Sequence, residues 1–125
     1  MEITEKERML LVKKKEEICG ATFQILDMAH EPKNAVEIKK DITLILSLLS
    51  TISSYSKSGN LDFASLEAED IFEDMRNGAD WHELIVPSLE RFCNDVNSIR
   101  FDFTEKRGLK VVLPKNLNFG NITNK

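Results

Sequence analysis

The sequence is poor in the residues from which catalytic and metal sites are most often built. It has two histidines and two cysteines, and Cys19 and Cys93 are too far apart to form a Cys-x-x-Cys pair. The five glycines form no phosphate-binding loop, and no Glu-x-x-His motif of a di-iron site occurs. His30 and His82 have no partner at the spacing of a metal site or a catalytic triad, so both are expected on the surface. We therefore predict no catalytic residue, no metal site and no cofactor.

Long apolar runs are also missing. The most apolar stretch, DITLILSLLSTISSY at 41–55, stays apolar for only about eleven residues, whereas a membrane-spanning helix needs about 20. The charged amino-terminal sequence MEITEKERML lacks the apolar segment of a secretory signal. These absences predict a cytoplasmic protein with no membrane span, in which both cysteines are reduced and buried.

What remains is the composition of one soluble globular domain. The chain has 125 residues, of which 42% are hydrophobic and 30% are charged. A chain of this length buries roughly two-thirds of its unfolded surface, so it needs no disulfide or metal for stability. We expect a single domain over 1–113 and a separate tail over 114–125.

Apolar residues recur at helical spacing in four segments, which predicts an antiparallel four-helix bundle. The expected helices cover 4–29, 34–55, 62–77 and 81–98. Thr4 with Glu7, and Asp80 with Glu83, match capping boxes, and Gly78 suits a left-handed helix end. Pro87 predicts either a kink or a short turn before the main part of the fourth helix.

Two of these helices have wide apolar faces. In the first, Cys19, Phe23 and Leu26 extend a face formed by Leu11, Ile18 and Ile25. The second has one stripe of five residues at steps of four and three, and three leucines on its other sides. Such a helix must be covered on more than one side, either at the centre of the bundle or by a second copy of the chain. The stripe consists of Ile38, Ile42, Ile45, Leu49 and Ile52, and the other leucines are Leu44, Leu46 and Leu48.

After the fourth helix the spacing changes from helical to alternating. Ile99, Phe101 and Phe103 alternate, and a glycine-containing turn leads into LKVVL, so 99–113 is predicted as a β-hairpin. The alternative is a helix that continues to Lys106. Apolar residues in the polar tail favour its docking on the bundle or on a neighbouring copy. For self-association we propose Leu44, Leu46, Leu48, Phe101, Val111 and Phe119.

The third helix lies in the most acidic part of the chain. Between Leu61 and Glu90 there are nine acids and one base, Arg76. A solvated helix face is one interpretation. The other is a docking surface for a basic protein, with apolar residues on its acidic side. We assign that surface to Phe63, Leu66, Glu67, Asp70, Glu73 and Asp74.

The leading hypothesis is a small, non-enzymatic protein–protein interaction module that self-associates and binds another protein, as adaptors, immunity proteins and phage-encoded inhibitors do. The first alternative is an all-α nucleotide pyrophosphohydrolase that uses Glu67 and Asp70 with Glu73 or Asp74 to hold magnesium, although a second carboxylate pair is missing. The second alternative is a weak nucleic-acid-binding protein, which the net charge of −4 disfavours. Its basic residues are Lys13, Lys14, Lys15, Lys106, Arg107, Lys110 and Lys115.

Overall fold

The computed structural model describes residues 2–56, 61–103 and 108–114 and confirms a mainly helical bundle followed by a hairpin. The four α-helices in this part of the chain are α1 (Glu5–Met28), α2 (Ala35–Ser53), α3 (Asp62–Arg76) and α4 (Val86–Asn97). A 3₁₀ turn (Pro32–Asn34) precedes α2 and a π-helical turn (Trp81–Ile85) precedes α4. The strands are β1 (Arg100–Phe103) and β2 (Leu109–Val112).

The helix boundaries follow the local signals in the sequence. The Glu7 backbone N–H donates to Thr4 Oγ1 at 3.1 Å, and the Thr4 N–H donates to Glu7 Oε1 at 3.0 Å, which confirms the capping box. Gly78 has a φ of 71°, as expected for a glycine that ends a helix. The predicted helix 81–98 consists of the π-helical turn and then α4, with Pro87 in the first turn of α4, where a missing N–H costs little.

The bundle is arranged with α2 and α4 between α1 and α3. The α1 helix packs against α2 and α4, and α3 packs against the same two helices. All five residues of the predicted α2 stripe are buried, so α2 forms the centre of the core as expected. Leu48 is also buried, with 6% of its surface exposed, and Leu46 is half-buried. The expectation that both point away from the core is therefore wrong for Leu48, since its own chain covers it.

The buried face of α1 is narrower than the sequence suggested. Leu11, Ile18 and Ile25 are buried, with the small residues Ala21 and Thr22 beside them. Cys19, Phe23 and Leu26 are exposed, which corrects their assignment to the core. They lie about 100° further round the helix, because each follows a buried position by one residue. Of the two unpaired cysteines, only Cys93 is buried as predicted.

The hairpin is confirmed, and the alternative of a helix continuing to Lys106 is wrong. Its strands are antiparallel, with Phe101 opposite Val111 and Phe103 opposite Leu109. Leu109 and Val111 are buried in the common core, so the hairpin packs on its own bundle. On its α1 side, the Arg8 guanidinium lies 5.1 Å from the Phe103 ring centroid and Lys15 Nζ lies 5.6 Å from that of Phe101. These cation–π contacts attach the hairpin to α1.

The end of α1 is joined to the π-helical turn by two hydrogen bonds between distant parts of the sequence. Trp81 Nε1 donates to the Ala29 carbonyl at 2.7 Å, and His82 Nε2 lies 3.0 Å from the His30 carbonyl. Both histidines are exposed, as predicted. No helix in the described part of the chain has the length and apolar character to cross a membrane.

Candidate protein-binding groove

A groove lies between the acidic face of α3 and the start of α4, and we call it the α3–α4 groove. Its surface cavity has a volume of about 180 Å³. This is smaller than the about 300–1,000 Å³ of typical small-molecule sites, so the cavity is the size of one inserted side chain rather than of a cofactor. The lining residues are Glu67, Asp70, Ile71 and Asp74 from α3, Leu84 from the π-helical turn, and Ser88 and Arg91 from α4.

Glu67, which lines this groove, forms a buried carboxyl pair with Asp95. Glu67 on α3 is 4% exposed and Asp95 on α4 is 6% exposed, and their side chains are hydrogen-bonded to each other. Two carboxylates cannot donate to one another, so this contact requires one proton on the pair. Glu67 Oε2 and Asp95 Oδ2 are buried, and no donor among the described residues reaches either of them. The arrangement is that of a carboxylic acid bound to a carboxylate.

The surroundings of Glu67 keep that proton on it. Burial is the largest effect and raises its pKa, and the hydrogen bond and negative charge of Asp95 raise it further. Arg91 lowers the pKa and Asp70 raises it slightly, with a net result of about 8 instead of the ordinary 4.5. Glu67 is therefore mostly neutral at physiological pH, and the negative charge at the groove mouth comes from Asp70 and Asp74.

The outer face of α3 remains strongly acidic. Within the described residues, none of the carboxylates of Glu69, Asp70, Glu73 and Asp74 forms an ion pair with a basic side chain. Glu69 precedes Glu73 by four residues, as Asp70 precedes Asp74, so these acids form two like-charged pairs along one side of the helix. Glu73 and Asp74 also lie in the last turn, where the helix dipole disfavours negative charge.

The structure brings together part of the predicted partner surface. Asp70 and Glu73 are exposed, Asp74 is half-buried, and Leu66 is 41% exposed. Phe63 does not project from the acidic side, since it is 7% exposed and belongs to the core. Glu67 was expected to point outward and is buried instead. The reason is its spacing of three residues from Ala64 and four from Ile71, both of which face the core.

Two features of the surface were not predicted. The first is Leu84, which is 43% exposed and lines the α3–α4 groove. The second is a row of exposed apolar side chains on α1. It contains Met9, Val12, Cys19, Phe23 and Leu26, and we call it the α1 outer stripe. Its steps of three, seven, four and three residues are visible in the sequence, but they cannot show which of two apolar faces the rest of the chain covers.

The predicted self-association residues differ in burial. Leu48 and Val111 are buried in the core, Leu46 and Phe101 are half-buried, and Leu44 is 46% exposed. Phe119 lies outside the described residues.

The residues assigned to the two alternative functions can also be placed. Among the described residues, no group of three or more His, Cys, Asp or Glu side chains is arranged to hold a metal ion. Glu67, the central residue of the magnesium hypothesis, is buried and paired with Asp95, and its pKa is raised to about 8 by burial and by Asp95. Of the basic residues considered for nucleic acid, Lys15 contacts Phe101, whereas Lys106, Arg107 and Lys115 lie outside the described residues.

Comparison with known proteins finds no relative. No family model matches the chain, and neither curated proteins nor solved structures give a significant match.

Proposed function

We propose that this protein is a non-enzymatic protein–protein interaction module whose α3–α4 groove binds a basic, partly apolar segment of another protein. The observation that carries this proposal is the set of acids on α3 that lack basic partners in the described part of the chain. An interaction module of this kind fits the role of an adaptor, an immunity protein or an inhibitor, each of which acts by binding another protein.

The acids are unfavourable for the isolated chain. Each like-charged pair four residues apart costs about 0.2–0.5 kcal/mol, and each acid in the last helical turn costs about 0.3–1 kcal/mol. Together these terms destabilise α3 by on the order of 1–3 kcal/mol. A bound basic segment would remove the repulsion, and charge complementarity would raise its rate of association and its specificity.

The apolar residues beside the acids define the kind of segment that fits. Leu66 and Leu84 are both more than two-fifths exposed, and Leu84 lines the cavity directly. A segment that combines lysine or arginine with leucine-like side chains could place one side chain in the cavity and its basic groups against Asp70 and Asp74. A purely basic segment would leave these leucines in water, so its binding should be weaker.

The experiment measures binding of an amphipathic lysine–leucine peptide by fluorescence anisotropy, with a glutamate–leucine peptide as the reference of opposite charge. Asp70→Lys combined with Asp74→Lys should weaken binding of the basic peptide at least ~10-fold and reduce its salt dependence, because two attractive charges become repulsive. The same variant should be about as stable as the wild type, because a lysine at position 74 suits the last turn of α3 and a lysine at position 70 lies three residues from Glu73, whereas the 70–74 pair stays like-charged.

The matched control is Glu37→Lys combined with Asp41→Lys, an acidic pair with the same four-residue spacing on α2. This control changes the net charge by the same amount, but at positions that do not line the groove. Equal weakening by both double variants would mean that the peptide responds only to net charge, and the proposed groove would be wrong. A lack of binding by the wild type at low salt would contradict the proposal as well.

A further inference from the structure

The α1 outer stripe has a regular spacing that a surface exposed only to water does not require. Met9, Val12, Cys19, Phe23 and Leu26 follow one another at steps of three and four, with Glu16 at the one polar position. This is the 3.5-residue repeat of a helix that packs along another helix. Met9 is 66% exposed and Phe23 is 64% exposed, so the largest side chains of the stripe are uncovered in the single chain.

We infer that this stripe is a dimerisation surface, and that its occupant is α1 of a second copy of this chain in antiparallel orientation. With this inference the self-association predicted from the sequence moves from α2 and the hairpin to α1. It is independent of the proposed groove, because it concerns a different helix and a different partner.

The stripe is self-complementary when two copies run antiparallel. Its midpoint lies between Glu16 and Cys19, so a two-fold axis there places Met9 of one copy against Leu26 of the other. Val12 then packs against Phe23 in the same way, and the polar Glu16 lies at the centre opposite Cys19. Four of the six positions therefore pair apolar with apolar side chains, and the stripe covers about 26 Å of helix at 1.5 Å per residue.

The charges on one flank of the stripe decide between the two orientations. The positions beside the stripe on this flank are Lys6, Lys13, Gly20 and Asp27, each seven residues from the next. In the antiparallel dimer, Asp27 of one copy faces Lys6 and Lys13 of the other, so opposite charges meet at both ends. In a parallel dimer, Asp27 would face the second flank instead, and this pairing of opposite charges would be lost.

Gly20 on the first flank and the two basic residues of the second flank are compatible with this arrangement. Gly20 lies near the two-fold axis, and a side-chain carbon added there would have no heavy atom within 4 Å in its own chain, so the second helix can approach closely. Arg8 and Lys15 on the second flank are directed toward the rings of Phe103 and Phe101, which keeps their charges on the hairpin side.

The first test is the solution mass over micromolar to millimolar concentrations, measured by sedimentation equilibrium. The wild type should dimerise. Phe23→Glu should raise the dissociation constant by ~30-fold or more, the effect of replacing one large buried side chain of an interface by a charge. Val36→Glu is the matched control, because Val36 is 63% exposed on α2 and lies outside the stripe. It should leave the dimer unchanged.

The second test concerns orientation and charge. Asp27→Lys should weaken the dimer, and Lys13→Glu in the same chain should restore it in part, which a merely unfolded variant could not do. In a Cys19→Ser background, a short bismaleimide should crosslink a mixture of Met9→Cys and Leu26→Cys chains, whereas Met9→Cys chains alone should not react with each other. A wild-type monomer at all concentrations, a dimer insensitive to Phe23→Glu, or crosslinking of Met9→Cys with itself would each overturn the inference.

Discussion

The Glu67–Asp95 pair predicts that the protein becomes less stable as the pH rises. The pKa of Glu67 is about 8 in the folded chain and near 4.5 in the unfolded chain. Between these values the folded state holds a proton that the unfolded state has released, so the free energy of unfolding falls with increasing pH. The slope for one proton is about 1.4 kcal/mol per pH unit, which gives a loss of up to about 4 kcal/mol between about pH 5 and pH 8.

Glu67→Gln should remove most of this dependence. The glutamine amide has nearly the same size, and its N–H can donate to Asp95 at every pH, so the contact no longer needs a proton. Urea unfolding followed by circular dichroism at several pH values measures the slope directly. The pKa of Asp41 is also raised, by burial and by Glu37, so Asp41 adds a smaller pH dependence of the unfolding free energy. This contribution is the same in the wild type and in Glu67→Gln.

The control for this experiment is Glu69→Gln, an exposed acid on the same helix, which should retain the wild-type slope. A total stability of about 5–15 kcal/mol is usual for a domain, so a loss of several kcal/mol would be evident in the unfolding midpoint. If Glu67→Gln and the wild type lose stability equally between acidic and alkaline pH, the two carboxyl groups do not share a proton, and the reasoning from their burial is wrong.

Two further predictions follow from burial and from the groove. Leu48→Glu should unfold the chain or destabilise it by several kcal/mol, because it places a charge at a position that is 6% exposed. Leu44→Glu changes a position that is 46% exposed, so this variant should remain folded. Circular dichroism and chemical unfolding measure both effects. A basic side chain bound beside Glu67 favours its ionised form, so binding of the lysine–leucine peptide should release a proton and strengthen from about pH 6 to pH 9. Anisotropy titrations of Glu67→Gln, in which this pH dependence should be absent, provide the comparison.

The parts of the fold that depend on local chemistry could be predicted from the sequence. The capping box at Thr4, the left-handed Gly78 and the change from helical to alternating spacing after Ile99 all act within a few residues. The central stripe of α2 was also predictable, because its repeat continues over four turns and every member is a large apolar residue.

The candidate site was harder to predict, because an acidic residue is ordinarily assigned to the surface. Glu67 occupies an inward position of α3, and Asp95 occupies one of α4, three residues after Phe92. The helical spacing of both residues therefore indicated burial, whereas their acidic side chains indicated exposure. What the sequence lacks is the alignment of α3 with α4, which brings two buried acids together so that one proton makes both tolerable.

A similar limit applies to the apolar faces. The repeat on α1 and the repeat on α2 both predict a helix with much apolar surface, and only tertiary packing decides which face the chain covers itself. The structure buries six apolar residues of α2 but leaves Val36 and Leu44 exposed, and it also leaves the outer stripe of α1 exposed. The wide apolar face of α1 was predicted from the sequence, but not that part of it is exposed.

The positions of the two unusual surfaces in the bundle connect the two proposals. Since α1 and α3 each pack against α2 and α4, they lie at opposite corners, and their outer faces point away from each other. A dimer formed through α1 would therefore leave both α3–α4 grooves open on its two outer sides. Two linked binding sites can engage two segments of one partner, and the second contact is then intramolecular, so modest affinity at each groove can give strong binding overall. This geometry explains how a small groove of about 180 Å³ could support a stable complex.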